Sequence, residues 1–329
     1  MGVQAVVRVA AVATITLGGL LPATASAQDV YPSKPMALIV GNPPGASLEI
    51  YARLYAKKLT ESMKQPMVVD FKPGAGATIA SGYVAKSAPD GYTLALISPS
   101  FTTSPVQYKA LTFDPIDSFA HITLTSTDSY VLVINPGLPV KNLQEYVAYA
   151  RANPGKINVG TTGAGAFNHL AMALLHLTTK TKATFIHYKG GNQVITDMLA
   201  GRIQASQNSI TLAKPLLAAG KIRIAGVTSA KRTSAMPDMP TFAEQGVPYD
   251  VVNWIGFSAP AKTPTAIVNR LNTELRNATK SEEIVAALIK TGGDAVGTTP
   301  EEFRRFLIED LARWRNLVRD GNIELEGEN

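Results

Sequence analysis

Four times in this chain a short apolar run gives way to a glycine-rich turn and then to a stretch with helical spacing. The turns read GNPPGAS (Gly41–Ser47), KPGAGAT (Lys72–Thr78), TTGAGAF (Thr161–Phe167) and KGGN (Lys189–Asn192). The runs before them, Met36–Val40, Met67–Phe71, Ile157–Gly160 and Ala183–Tyr188, are short and continuous enough for buried strands. The stretches after them, Ile50–Ser62, Ile79–Ser87, Asn168–Thr178 and Gln193–Ala200, carry the period of amphipathic helices. Strand, turn and helix in alternation predict an α/β fold on a mainly parallel sheet. Further strands are expected at Thr93–Ile97, Tyr130–Ile134, Ile203–Ser206 and Ile222–Thr228. Asn142 with Glu145 caps a helix over Leu143–Ala152, and the tail predicts helices at Pro264–Asn277, Glu282–Lys290 and Pro300–Arg319. In the last, Thr299 and Glu302 form a capping box, and Phe303, Phe306, Leu307, Leu311 and Trp314 make a core-facing stripe.

The N-terminus reads differently. Arg8, an apolar stretch over Val9–Leu21 and the small-residue site Ala25-Ser26-Ala27 have the form of a secretory leader, residues 1–27. The expected location is therefore the periplasm, reached across the inner membrane. The sequence contains no cysteine, which removes disulfides, thiolate metal sites and a cysteine nucleophile. Its 31 basic residues against 25 acidic ones, without a Lys/Arg tract, do not suit nucleic acid. A mild positive balance suits small anions.

In open α/β sheets, turns of this kind gather at the carboxyl edge, where ligands bind. Each helix start presents unpaired N–H groups and a partial positive charge, and so can hold a carboxylate without arginine. No G-x-x-x-x-G-K-[ST] motif and no G-x-S-x-G motif occurs, so neither nucleotide binding nor serine hydrolysis is expected. His121, His169, His176 and His187 lack metal-ligand spacing, so no metal and no cofactor is expected. His169, at its helix start, is expected to shape the turn before it.

Seven segments in order resemble the periplasmic substrate-binding receptors of tripartite tricarboxylate transporters, the Bug receptors. They are YPSKP (Tyr31–Pro35), PPGASLEIYARLYAKKL (Pro43–Leu59), KPGAGATIASGYVAKSAPDGYTL (Lys72–Leu94), VGTTGAGAFNHLA (Val159–Ala171), HYKGGNQVITDMLAGRI (His187–Ile203), the stretch Gly220–Gly246, and NWIGFSAPAKTP (Asn253–Pro264). The resemblance implies a two-domain type II periplasmic-binding-protein fold with the ligand cleft between the domains. Domain 1 would be 28–128 with 251–329 and domain 2 would be 129–250, hinged near Thr125–Tyr130 and Tyr249–Trp254. The partners implied are a small organic carboxylate and membrane transporter subunits. The chain would act as a monomer and not as an enzyme. A module that presents its ligand to a membrane sensor kinase is the alternative.

This chain departs from the family pattern at Ala46 (a second glycine), Glu49 (an aspartate), Ala77 and Thr78 in the third segment (GAGGN becomes GAGAT), Ala173 (an acidic residue) and Phe167 (a small polar residue).

The expected site has two facing turns. Asn42, Pro43, Pro44, Gly45, Ala46 and Ser47 form the first, with the prolines stiffening it and the others offering donors. Thr161, Thr162, Gly163, Gly165 and Ala166 supply donors from the second, beside His169. Ser98 and Ser100 at a strand end and Asn208 within SQNS add neutral polar groups. Neutral polarity favours a dicarboxylate or aromatic carboxylate over a free amino acid. Phe101, Phe167 and Trp254 are expected to form an aromatic wall.

Overall fold

A computed structural model describes Met1, Gly2, residues 31–321 other than Ala46 and Lys109, and Ile323. Apart from Met1 and Gly2, the expected leader lies outside the described residues, as does Ala46.

The chain runs β1 (Met36–Val40), α1 (Ser47–Met63), β2 (Met67–Phe71), α2 (Thr78–Ala85), β3 (Thr93–Ile97) and α3 (Ser100–Gln107). A long strand β4 (Phe119–Ile134) leads to α4 (Leu143–Ala152), β5 (Asn158–Thr161), α5 (Phe167–Thr178), β6 (Thr184–His187), α6 (Gly191–Leu199), β7 (Ala205–Ser209), α7 (Ile210–Ala218) and β8 (Arg223–Val227). The return strand β9 (Val252–Pro260) precedes α8 (Thr265–Thr279), α9 (Glu282–Thr291), β10 (Gly293–Ala295) and α10 (Pro300–Gly321).

The sheet follows the order β2-β1-β3-β9-β4-β7-β5-β6, with β8 and β10 also pairing β4. Its outer parts are parallel: β1 with β2 and β3, and β5 with β6 and β7. Its centre is antiparallel, since β9 opposes β3 and β4 while β4 opposes β7, β8 and β10. The expectation of a mainly parallel sheet is corrected here. The reason lies in β4 and β9, which cross between the two lobes in opposite directions. Residues 119–129 of β4 pair with β9, and Tyr130–Ile134 pair with β7.

Only the last part of β4 stood out by apolarity. Its first part buries Thr123, Thr125, Ser126, Asp128 and Ser129, polar residues that hide a strand from any hydrophobic pattern. Helix α1 shows the opposite case. Leu48, Tyr51, Ala52, Tyr55, Ala56 and Leu59 recur every three or four residues, and all six are buried.

Each lobe has a core on both faces of its part of the sheet. Helix α10 belongs to both lobes, with Phe303 and Leu307 in one core and Trp314 and Leu317 in the other. Its stripe is buried except at Phe306, which is half-buried.

Candidate functional site

At the carboxyl ends of β1 and β3 lies a small pocket whose polar lining is Asn42, Ser81, Ser98 and Ser100. The two strand-end serines are 3.4 Å apart, Oγ to Oγ.

Pro43, Pro44 and Gly45 of the first turn are exposed. The Gly45 N–H is already engaged. It donates to Glu49 Oε2 at 2.6 Å, and Arg53 Nε donates to Glu49 Oε1 at 2.6 Å. The Gly45 N–H, then Arg53, hold the Glu49 carboxyl below its ordinary range. The expectation that Gly45 donates to a ligand is corrected, because the chain's own carboxylate takes that place. The signal was the Glu49/Arg53 pair at helical spacing, next to the turn. Ser47 opens α1, and its side chain lies outside the described atoms.

The second turn is also held from within. Asn168 Oδ1 accepts from Thr162 N at 3.1 Å and from Thr162 Oγ1 at 2.9 Å. Gly165 N donates to His169 Nδ1 at 2.9 Å, Ala166 N to Gly163 O at 3.2 Å, and Thr161 Oγ1 shares a hydrogen with His187 Nδ1 at 2.6 Å. Burial and, second, the neighbouring His187 push the His169 imidazole down to about 4. It is therefore neutral at physiological pH, with Nδ1 free to accept. The donors assigned to Thr161, Thr162, Gly165 and Ala166 thus shape the turn rather than face outward, another correction. Open instead is the start of α5. Among the described residues, the backbone N–H groups of Phe167, Asn168 and His169 find no acceptor. Asn168 and His187 were not singled out as site residues, although the asparagine at a helix start was a visible signal.

Asn168→Ala is expected to cost about 1–3 kcal/mol of stability, since Asn168 is buried and two Thr162 donors lose their acceptor. Asn168→Asp keeps that acceptor and should cost much less. Denaturant titration of both variants checks this.

The aromatic wall does not assemble. Trp254 is wholly buried against Phe303 and Phe306. Phe101 edges the pocket, but its ring lies in the core against Phe113 and Phe119. Phe167 leans on Tyr130 and Trp314, with centroids 5.3 and 5.9 Å away. Each ring follows its own lobe's apolar packing. Asn208 is buried in β7 and donates to Ser206 Oγ at 2.9 Å, on the side of Gly191. Lys189 is exposed. Among the described residues no group of three or more His, Asp or Glu is placed to hold a metal ion.

A family model described as the tripartite tricarboxylate transporter family receptor matches residues 51–323. Protein BugT of Bordetella pertussis is 31% identical over 301 residues, 91% of this chain and 92% of its own. Three solved structures share the fold. The periplasmic binding protein BugD is 28% identical with a TM-score of 0.71, over 89% of this chain and 99% of its own. R. palustris Rpa4515 with adipate is 31% identical with a TM-score of 0.74, over 89% and 99%. MatC of Rhodopseudomonas palustris with bound malate is 26% identical with a TM-score of 0.70, over 88% and 100%. The fold is thus the mixed α/β, two-domain periplasmic-binding-protein fold.

Proposed function

The chain belongs to the tripartite tricarboxylate transporter receptor family, and we propose on that footing that it is a periplasmic receptor for an organic dicarboxylate. It takes up the ligand between its lobes and delivers it to the membrane subunits of such a transporter, as a monomer exported by the leader at 1–27. The lobes are 28–128 with 251–329, and 129–250, hinged near Thr125–Tyr130 and Tyr249–Trp254.

The observation that carries this reading is the open start of α5, whose free N–H groups point their partial positive charge at an incoming anion. The neutral polar pocket at Asn42, Ser98 and Ser100 lies at the start of α3, and the second turn lies at its end. Eight residues of helix span about 12 Å. A ligand with a polar group at each end suits that arrangement. An aromatic acid has less support, since Phe101 and Trp254 belong to the core. A free amino acid would need an unpaired acid for its ammonium group, and Glu49 is already bonded to Arg53. The adipate and malate complexes of Rpa4515 and MatC point the same way. We assign the chain no reaction.

Thermal shift over C4–C6 dicarboxylates, aromatic monocarboxylates and amino acids tests the reading. At a hundred times Kd a ligand stabilises by about 2.7 kcal/mol, worth roughly 4 °C in a chain of this size. The largest rise is expected from a dicarboxylate. A panel in which no carboxylate moves the Tm would overturn the proposal.

A further inference from the structure

Helix α3 begins at the pocket and ends on the opposite lobe. Along the way its side chains make three bonds to distant segments. Thr102 Oγ1 donates to Asp310 Oδ2 of α10 at 2.7 Å. Ser104 Oγ donates to the Gly76 carbonyl at 2.7 Å, within the turn KPGAGAT. Gln107 Nε2 donates to the Gly165 carbonyl at 2.5 Å, within the turn TTGAGAF. One short helix therefore ties together two of the four glycine-rich turns, one from each lobe.

Both contacts require glycine. Gly76 and Gly165 have φ of +59° and +73°, where a side chain is strained. A Cβ on Gly165 would meet the Gln107 amide carbon at 2.6 Å, and one on Gly76 would run into Ser104 Oγ. The Gly165 carbonyl is also aimed, because the N–H of the same residue is anchored on the buried His169. Gln107 itself is only half-buried. Its bond can open to water without exposing core, which is what a contact that must part and re-form needs.

We propose that Gln107 is a positioning residue that latches the two lobes together through the Gly165 carbonyl and so retains the solute beside the start of α5. The inference rests on the reading that the lobes enclose one ligand. The bond forms when the lobes approach and must break for the solute to leave. Gln107 acts by holding the second turn in place against α3.

The test needs no ligand, so its outcome is independent of which solute the chain takes. Because the sequence has no cysteine, Ala88→Cys and Lys182→Cys, both exposed and on different lobes, give a unique pair of spin labels. Pulsed electron resonance then reads the distance between lobes. The labelled parent should show one dominant distance. Gln107→Ala, and Gln107→Met, which keeps length but loses the donor, should move the distribution by several ångströms or split it. Their Tm should stay unchanged. Gln144→Ala is the control, since Gln144 bonds to Gln245 O within one lobe. If both Gln107 variants keep the parent distribution, the latch is wrong. A change equal to that of Gln144→Ala is also fatal to it. Should Gln107→Ala not fold, the isosteric Met variant decides alone.

Discussion

Asp310→Ala is expected to lower the free energy of unfolding by about 3–5 kcal/mol, the scale for breaking a buried charged network. Asp310 is 2% exposed on α10. Its Oδ2 accepts from Thr102 Oγ1 at 2.7 Å, Trp314 Nε1 at 3.1 Å and Trp254 Nε1 at 3.4 Å, and its Oδ1 accepts from Arg313 Nη1 at 2.8 Å. Alanine leaves the two buried indole N–H groups without an acceptor, at about 1–3 kcal/mol each before relaxation, while Thr102 Oγ1 keeps the Pro99 carbonyl at 3.0 Å. The carboxylate is not comfortable as a charge, since burial raises its pKa above the ordinary carboxylate range. Its importance comes instead from the donors that converge on it. Those donors come from α3, β9 and α10, so the loss reaches the cores of both lobes. Asp310→Asn keeps the shape and one acceptor and should fall between the two. Guanidinium unfolding of the three proteins measures it. A loss below about 1 kcal/mol for the alanine variant would show that the network contributes little.

Stability should also fall steeply as pH drops from 6.5 toward 4. Burial is the first cause that pushes each of His121, His169 and His176 down to about 4. The unfolded chain binds protons at these rings near their ordinary 6.5, while the folded chain does not. Their contribution is therefore complete above pH 6.5 and is lost as pH falls through about 4. Each imidazole accounts for about 3 kcal/mol at full extent. Asp128 works in the opposite direction. Burial raises its carboxyl to about 6, so its contribution is present at low pH and is lost as pH rises through about 6. Asp310, whose carboxyl burial also raises, acts in the same sense as Asp128. The three imidazoles outweigh the two carboxyls, and the net loss between pH 7 and pH 5 is about 4 kcal/mol at most. Denaturant titrations at pH 7, 6 and 5 give the slope. His176→Gln can still bond Tyr146 and Thr181 and should remove about a third of the imidazole contribution. A flat profile from pH 7 to 5 would contradict the argument.

The apolar period placed β1, β2 and β3, and the Asn142/Glu145 cap placed α4, at the bounds the structure shows. The period also located the four turns and, through their residues, the family. Helix α3 could not be found that way. Its sequence SFTTSPVQ contains four hydroxyl residues that are poor helix formers and a proline. The helix forms where Asp310, Gly76 and Gly165 accept its side-chain bonds.

The same difference separates what was legible in the site from what was not. Glycine at positions 163 and 165 and asparagine at 168 mark a turn and a helix start within a few residues of chain, because φ preference and capping are local properties. Which donors remain open depends on side-chain direction, which φ preference and capping do not fix. Gly45 bonds to a carboxylate four residues ahead and Gly165 to an imidazole four residues ahead. Phe101 and Trp254 turn into the core, because apolar area is worth more packed on Phe119 and Phe303 than at an edge. Sequence by itself determined the alternation of strands and helices, the positions of the turns and the family, since hydrophobic period and backbone preference act over short spans. Only the tertiary structure decided the antiparallel centre, the bridging helix α3 and the open start of α5. Each depends on which distant residue arrives to fill a hydrogen bond or a face, and spacing along the chain does not record that.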